Sequence, residues 1–201
     1  MNKLFFDIET VPAEEEKHYI LKSIHQRKIE NGKKVPELDE FLSHTTFDGA
    51  FGRIICLSYA INDGDTASLS GQEDDILKKF WDIAKSVSLF VGFNVIDFDL
   101  RFIYQRSVVL KVKPTRYLNF ARYRSDPIYD VMKEWSKWNM SENISLDSLS
   151  LALGIPSPKN GEVEGKNIAQ AFKDGRIKEI CEYCEKDVDV TRQIYKRMNF
   201  I

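Results

Sequence analysis

The chain has 201 residues, 43% of them apolar and 30% charged, with a formal net charge of −2. That length suits one domain with a sizeable core, and the balance is that of a soluble globular protein. No apolar run approaches the ~20 residues of a membrane span, and the early acid Asp7 argues against a signal peptide, so a cytoplasmic protein without membrane partners is expected.

The run Leu4-Phe5-Phe6-Asp7-Ile8-Glu9-Thr10 reads as a buried strand over 3–9. Residues two apart on a strand share a face, so Asp7 and Glu9 project together. Two acids on a largely buried strand are costly unless positive charge meets them. They are either a solvated strand end or half of a divalent-metal site. Pro12 ends the strand. Residues 13–48 differ in composition, with Tyr19, Ile20, Ile24 and Ile29 at loose helical spacing and Asn31-Gly32 as a stop. They read as an insertion beside the acids, or as a solvated excursion.

Ile54 to Ile61 reads as a central strand, Asn62-Asp63-Gly64-Asp65 as a hairpin turn, and Thr66 to Gly71 as an antiparallel return. Glu73 to Val87 reads as a helix with Leu77, Phe80, Trp81, Ala84 and Val87 on its inner stripe. Leu89 to Phe93 is a short strand, parallel to the first because a helix precedes it. A helix is expected from about Leu100 to Val109. Residues 111–126 are basic and aromatic, and either track phosphates or form a solvated loop. Short helices are expected around 128–138, 145–153 and 167–173, and a loop over Gly154 to Gly161. The last helix, 177–198, carries Ile177, Ile180, Cys181, Cys184, Val188, Thr191, Tyr195 and Met198 as its core stripe. No repeat or linker divides the chain, so residues 1–201 read as a single domain.

The three cysteines, Cys56, Cys181 and Cys184, make no disulfide framework. Cys181-x-x-Cys184 lacks the further ligands that zinc needs, and packing is the expected role. Two acids remain notable by position. Asp99 lies where a strand gives way to a helix, at the carboxyl edge of the sheet, and is a ligand or a helix N-cap. Asp187 follows Tyr183 by four residues on the last helix, so the two share a row between core and cleft, and Asp187 is a ligand or a solvated helix acid.

These residues carry a resemblance. Phe6-Asp7-Ile8-Glu9-Thr10 resembles the first motif of the DEDD 3′–5′ exonuclease superfamily. Gly92-Phe93-Asn94-x-x-x-Phe98-Asp99-Leu100 resembles the second, and Tyr183-x-x-x-Asp187 the third, in its tyrosine-bearing subtype. The chain is similar to the exonuclease domain of family B DNA polymerases and to free-standing exonucleases related to it. Leu146-Asp147-Ser148-Leu149 and Leu153-Gly154-Ile155-Pro156 extend the likeness. It implies an α/β, RNase H-like fold, with a mixed five-stranded sheet and helices on both faces. The segment 13–48 is longer than the simplest connection after the first motif. The acidic stretch from Gly161 to Lys166 falls in a region expected near the cleft. Asp97 competes with Asp99, and the motif selects Asp99 because it directly follows an aromatic residue.

The activity implied is metal-dependent removal of nucleotides from the 3′ end of a single strand, with DNA favoured. The cofactors would be two divalent ions, Mg2+ or Mn2+. Asp7 would bridge both ions, with Glu9 and Asp187 completing the first and Asp99 serving the second. Tyr183, a poor base at neutral pH, would orient the attacking water. Thr10, Asn94 and Phe98 would contact substrate; Asn94 is equally suited to cap a helix and Phe98 to pack in the core. Setting aside the four acids shifts the net charge from −2 to +2, so the surface need not repel nucleic acid. A separate polymerase or repair partner is implied, and no pattern specifies an oligomeric state. Two other readings stay open: an RNase H-like nuclease of other polarity or endonucleolytic action, and a non-catalytic nucleic-acid-binding scaffold.

Overall fold

Side-chain alternation along the first strand divides the protein into layers. In the computed structural model, which describes residues 2–139, 144–157 and 162–201, β1 runs over Lys3–Val11. Leu4, Phe6 and Ile8 enter one apolar cluster, while Phe5 and Val11 enter clusters on the opposite face. Asp7 and Glu9 belong to that second face by the same alternation.

β1 is the middle strand in the order β3-β2-β1-β4-β5. β2 (Arg53–Ile61) runs antiparallel to β1, and β3 (Ala67–Ser70) antiparallel to β2. β4 (Leu89–Gly92) is parallel to β1, and β5 (Ile128–Asp130) is parallel to β4. The fifth strand corrects one expectation. A helix was expected from about 128, but Ile128–Asp130 is a strand and helix α5 occupies Val131–Trp135. Three residues are too few to show a period, and pairing with β4 decides their state. At Glu9 the β1–β2 register shifts: Glu9 faces Cys56 while Thr10 faces Ile54. The extra residue, Ile55, makes a bulge, a device that strengthens twist and re-aims neighbouring side chains.

Two helices cover the Leu4–Phe6 face, α3 (Glu73–Ala84) and α4 (Asp99–Val109). The α3 stripe of Leu77, Phe80, Trp81 and Ala84 is buried as its spacing predicts. The Trp81 indole donates to Ser107 of α4 at 2.8 Å. Glu73 accepts the Ile54 backbone N–H at 2.8 Å and two bonds from the buried Arg106 guanidinium, also at 2.8 Å. This pair ties α3, α4 and β2 together.

The other face carries α8 (Ile177–Met198) with α5, α6 (Leu146–Ala152) and α7 (Ile168–Lys173). Ile180, Cys184, Val188, Thr191 and Tyr195 of α8 are buried, as expected, whereas Cys181 is half-buried. Between β1 and β2 lie α1 (His18–Glu30), the additional short helix α2 (Leu38–Ser43) and a tight turn at His44–Phe47. The Thr10 hydroxyl donates to the Thr46 carbonyl at 2.8 Å and the Ala13 N–H to the Thr45 hydroxyl at 2.9 Å, pinning this segment to the end of β1. Residues 158–161 of the expected loop lie outside the described residues. No helix among the described residues is long and apolar enough to cross a membrane.

Candidate active site

Three elements deliver the acids. β1 carries Asp7 and Glu9, α4 begins with Asp99, and α8 presents Tyr183, Cys184 and Asp187. The path to Asp99 is dictated locally. β4 ends at Gly92, where a Cβ would stand 1.9 Å from Val95 Cγ1 and 3.0 Å from the Phe6 carbonyl oxygen. Only a residue without a side chain lets the 93–98 loop fold back over β1. Asn94 then takes a left-handed turn at φ 61°. Its N–H and that of Ile96 both donate to the buried Asp130 carboxylate, at 3.0 and 3.1 Å. Asp97 pairs with the buried Lys133 ammonium at 2.7 Å. Asp99, 3% exposed, accepts the Ile8 backbone N–H at 3.1 Å. The two acids that compete in sequence are therefore separated: Asp97 binds Lys133 and Asp99 reaches β1. The α4 cap position falls to Phe98, with no side-chain cap bond, so neither Asp99 nor Asn94 caps the helix.

Asp7, Glu9 and Cys184 present ligand-type atoms within 4.8 Å of one another. The Cys184 thiol donates to the Asp7 carboxylate at 3.4 Å and to its carbonyl at 3.5 Å. Burial raises the Asp7 carboxyl well above the usual range, and the charges of Asp99, Asp187 and Glu9 raise it further. Glu9 is raised in the same way, by burial first and then by Asp187. Burial lifts Asp99 to about 7, against the pull of its own and the Ile8 backbone N–H. Burial, then the charges of Asp187, Glu9 and Asp7, push the Tyr183 phenol up, so it keeps its proton and acts as a donor. Buried acids that raise one another are a hard, all-oxygen donor set that fits a divalent cation such as Mg2+ or Mn2+. Burial holds the Cys184 thiol well above its ordinary range, so in the metal-free protein it keeps its proton and donates to Asp7.

Residues 48–201 match the family described as "Predicted 3'-5' exonuclease related to the exonuclease domain of PolB". The chain belongs to that family. The match includes Asp99, Tyr183 and Asp187 and begins after the strand that bears Asp7 and Glu9. Among solved structures, the family B DNA polymerase from the hyperthermophilic archaeon Pyrobaculum calidifontis is similar, with a TM-score of 0.69 at 15% identity. The likeness covers 100% of this chain and 24% of that one, so the chain spans about a quarter of the polymerase's length. It shows the expected RNase H-like fold. Against curated proteins no sequence match is found.

Within this member of the PolB-exonuclease-related family, the expected substrate contacts fall in different places. Thr10 is buried and its hydroxyl is used by Thr46. Phe98 is half-buried between Phe102 and Phe47, with ring centroids at 5.6 and 6.2 Å. Asn94 is half-buried beside the loop that leads to Asp99. A Cβ on Gly165 would lie 3.9 Å from the Tyr183 hydroxyl, so the acidic stretch before α7 does border the cleft. The basic segment 111–124 does not. Thr115 and Arg116 bond carbonyls at the C-terminal end of α3, which leads into the start of β4. That start pairs with Lys3, four residues along β1 from Asp7, or about 13 Å. Sequence reasoning missed Cys184, Asp130 and Lys133. Cys184 was marked by its place between Tyr183 and Asp187, and Asp130-x-x-Lys133 by a helix-start pattern, since Asp130 caps α5.

Proposed function

We propose that this chain is a metal-dependent 3′–5′ exonuclease acting on single-stranded nucleic acid, with DNA favoured. One observation carries the reading: Asp7, Glu9, Asp99, Asp187 and Tyr183, from three separate elements, bear on one another electrostatically in one cluster, with Asp99 and Asp187 buried and the other three half-buried. Family membership and the polymerase-exonuclease fold support it. Asp7 would be shared by two ions, Glu9 and Asp187 would complete one, and Asp99 would serve the other. When bound, such ions supply a nucleophilic hydroxide at neutral pH and neutralise charge on the phosphate and leaving oxygen. Tyr183, kept protonated by its surroundings, donates its hydrogen bond to orient the attacking water. Cys184 steadies the Asp7 carboxylate from the core side. In this reading the protein is cytoplasmic and one domain, the 13–48 insertion sits at the mouth of the cleft, and a separate polymerase or repair protein presents the 3′ end.

The test is hydrolysis of a 5′-labelled single strand with Mg2+ or Mn2+ and with chelator. A ladder of products shortened from the 3′ end is expected, abolished by chelator. Internal fragments would instead indicate an endonuclease, and binding without hydrolysis a scaffold. Matched DNA and RNA strands in the same assay fix the polymer.

A further inference from the structure

From Leu100 to Ser125 the chain contains seven Lys or Arg and no Asp or Glu. Two of the seven are used internally. Arg106 binds Glu73, and Arg116 donates to the carbonyls of Ala84 and Val87 while lying over the Phe90 ring. Lys111, Lys113, Arg122 and Arg124 are exposed, and none of them forms an ion pair among the described residues. The α3 acids bordering Lys111 and Lys113 are already neutralised, Asp74 by Lys78 and Asp82 by Lys85, each at 2.7 Å.

Aromatic rings are interleaved with these cations. Tyr117 is 88% exposed and Tyr123 71%, far more than folding stability favours for rings of that size. Tyr117 borders a cavity of about 420 Å³ walled by Trp81, Tyr104, Phe120 and Lys113. Tyr123 rests on Trp138 with ring centroids 5.3 Å apart, which holds it outward. Exposed rings set among unpaired cations form a stacking and phosphate-binding surface for single strands. Rings offer an acidic peptide little, whereas every base has a face to stack. The patch stands at the end of the sheet away from Asp7, so it cannot hold the reacting nucleotide.

We propose that the 111–124 segment is a second, non-catalytic contact for a single strand. Tyr117 and Tyr123 stack bases, and Lys111, Lys113, Arg122 and Arg124 hold phosphates upstream of the 3′ end that enters the acid cluster. This rests on the exonuclease reading for the direction of the strand, and deepens it by placing the remote part of the substrate.

The test is fluorescence anisotropy of a labelled oligothymidylate of about 16 nucleotides, the upper range of a single-strand site, with wild-type protein in chelator. Tyr117→Ala and Lys113→Glu each weaken binding about fivefold or more. Lys113→Glu also flattens the dependence of log affinity on log salt by about 0.7, the loss of one phosphate contact. Wild-type affinity in both variants overturns the proposal. So does polyglutamate displacing the strand as well as unlabelled oligothymidylate does, which would mark a surface for acidic chains in general. Hydrolysis with Mn2+ is read in parallel. Weakened binding in a protein that hydrolyses nothing upholds the patch and removes the exonuclease. Hydrolysis with wild-type affinity in both variants does the reverse.

Discussion

Asp7 sits half-buried among acids that each raise its affinity for a proton. Asp7→Ala should abolish hydrolysis and, in chelator, raise the melting temperature by about 2–4 °C for each ~1 kcal/mol of repulsion removed. Calorimetry beside the hydrolysis assay checks both, and a lower melting temperature would mean that Asp7 is a structural anchor. Asp99 is held near 7 by burial, from an ordinary value of 3.8. Between those values the metal-free folded protein binds a proton that the unfolded chain has lost. The stability that Asp99 contributes should therefore fall as pH rises from about 4 to about 7, with Asp7 and Glu9, also raised, acting in the same direction. Urea titrations in chelator across that window read the slope, and a rising slope would show that the acids are already compensated. Tyr183→Phe should slow hydrolysis about tenfold to a hundredfold, within the range of one positioned proton donor. The melting shift produced by Mn2+ should stay the same; loss of both together would make Tyr183 part of metal binding.

At the scale of elements, Gly92 fixes the loop that brings Asp99 to β1. Gly92→Ala forces Val95 out of the core and should cost about 1–3 kcal/mol, seen as a lower urea midpoint, with hydrolysis reduced because Asp99 moves. An unchanged midpoint would mean the loop has another path. Legibility in the sequence differed sharply between elements. β1 was legible because alternation alone puts Asp7 and Glu9 on one face, and α8 because its buried stripe repeats at helical spacing over 22 residues. β5 was not, because Ile128–Asp130 is a strand only through its pairing with β4. Of the acids, Asp99 and Asp97 differ in sequence only by neighbour, and the partner that separates them, Lys133, lies 36 residues beyond Asp97. Cys184 read as core, which it is, yet its thiol also meets Asp7. Side chains that serve two layers at once leave no period of their own.

Across the whole molecule, the Glu73–Arg106 pair holds together both helices of one face and the start of β2. Glu73→Ala leaves a buried guanidinium without its countercharge and the Ile54 N–H without its acceptor, and should cost about 3–5 kcal/mol in urea unfolding. Replacing both residues by methionine should recover much of that loss, because the stranded charge is then gone; no recovery would point to Ile54 as the larger cost.

The contact between Asp7 and Cys184 spans 177 positions of chain. During synthesis at ~5–20 residues per second, β1 emerges roughly 10–35 seconds before the helix that closes over it. A nascent chain therefore holds Asp7 and Glu9 with no Tyr183 or Asp187 to meet them. The acid set is complete only when α8 docks, so on the proposed function a product truncated before Tyr183 should hydrolyse nothing.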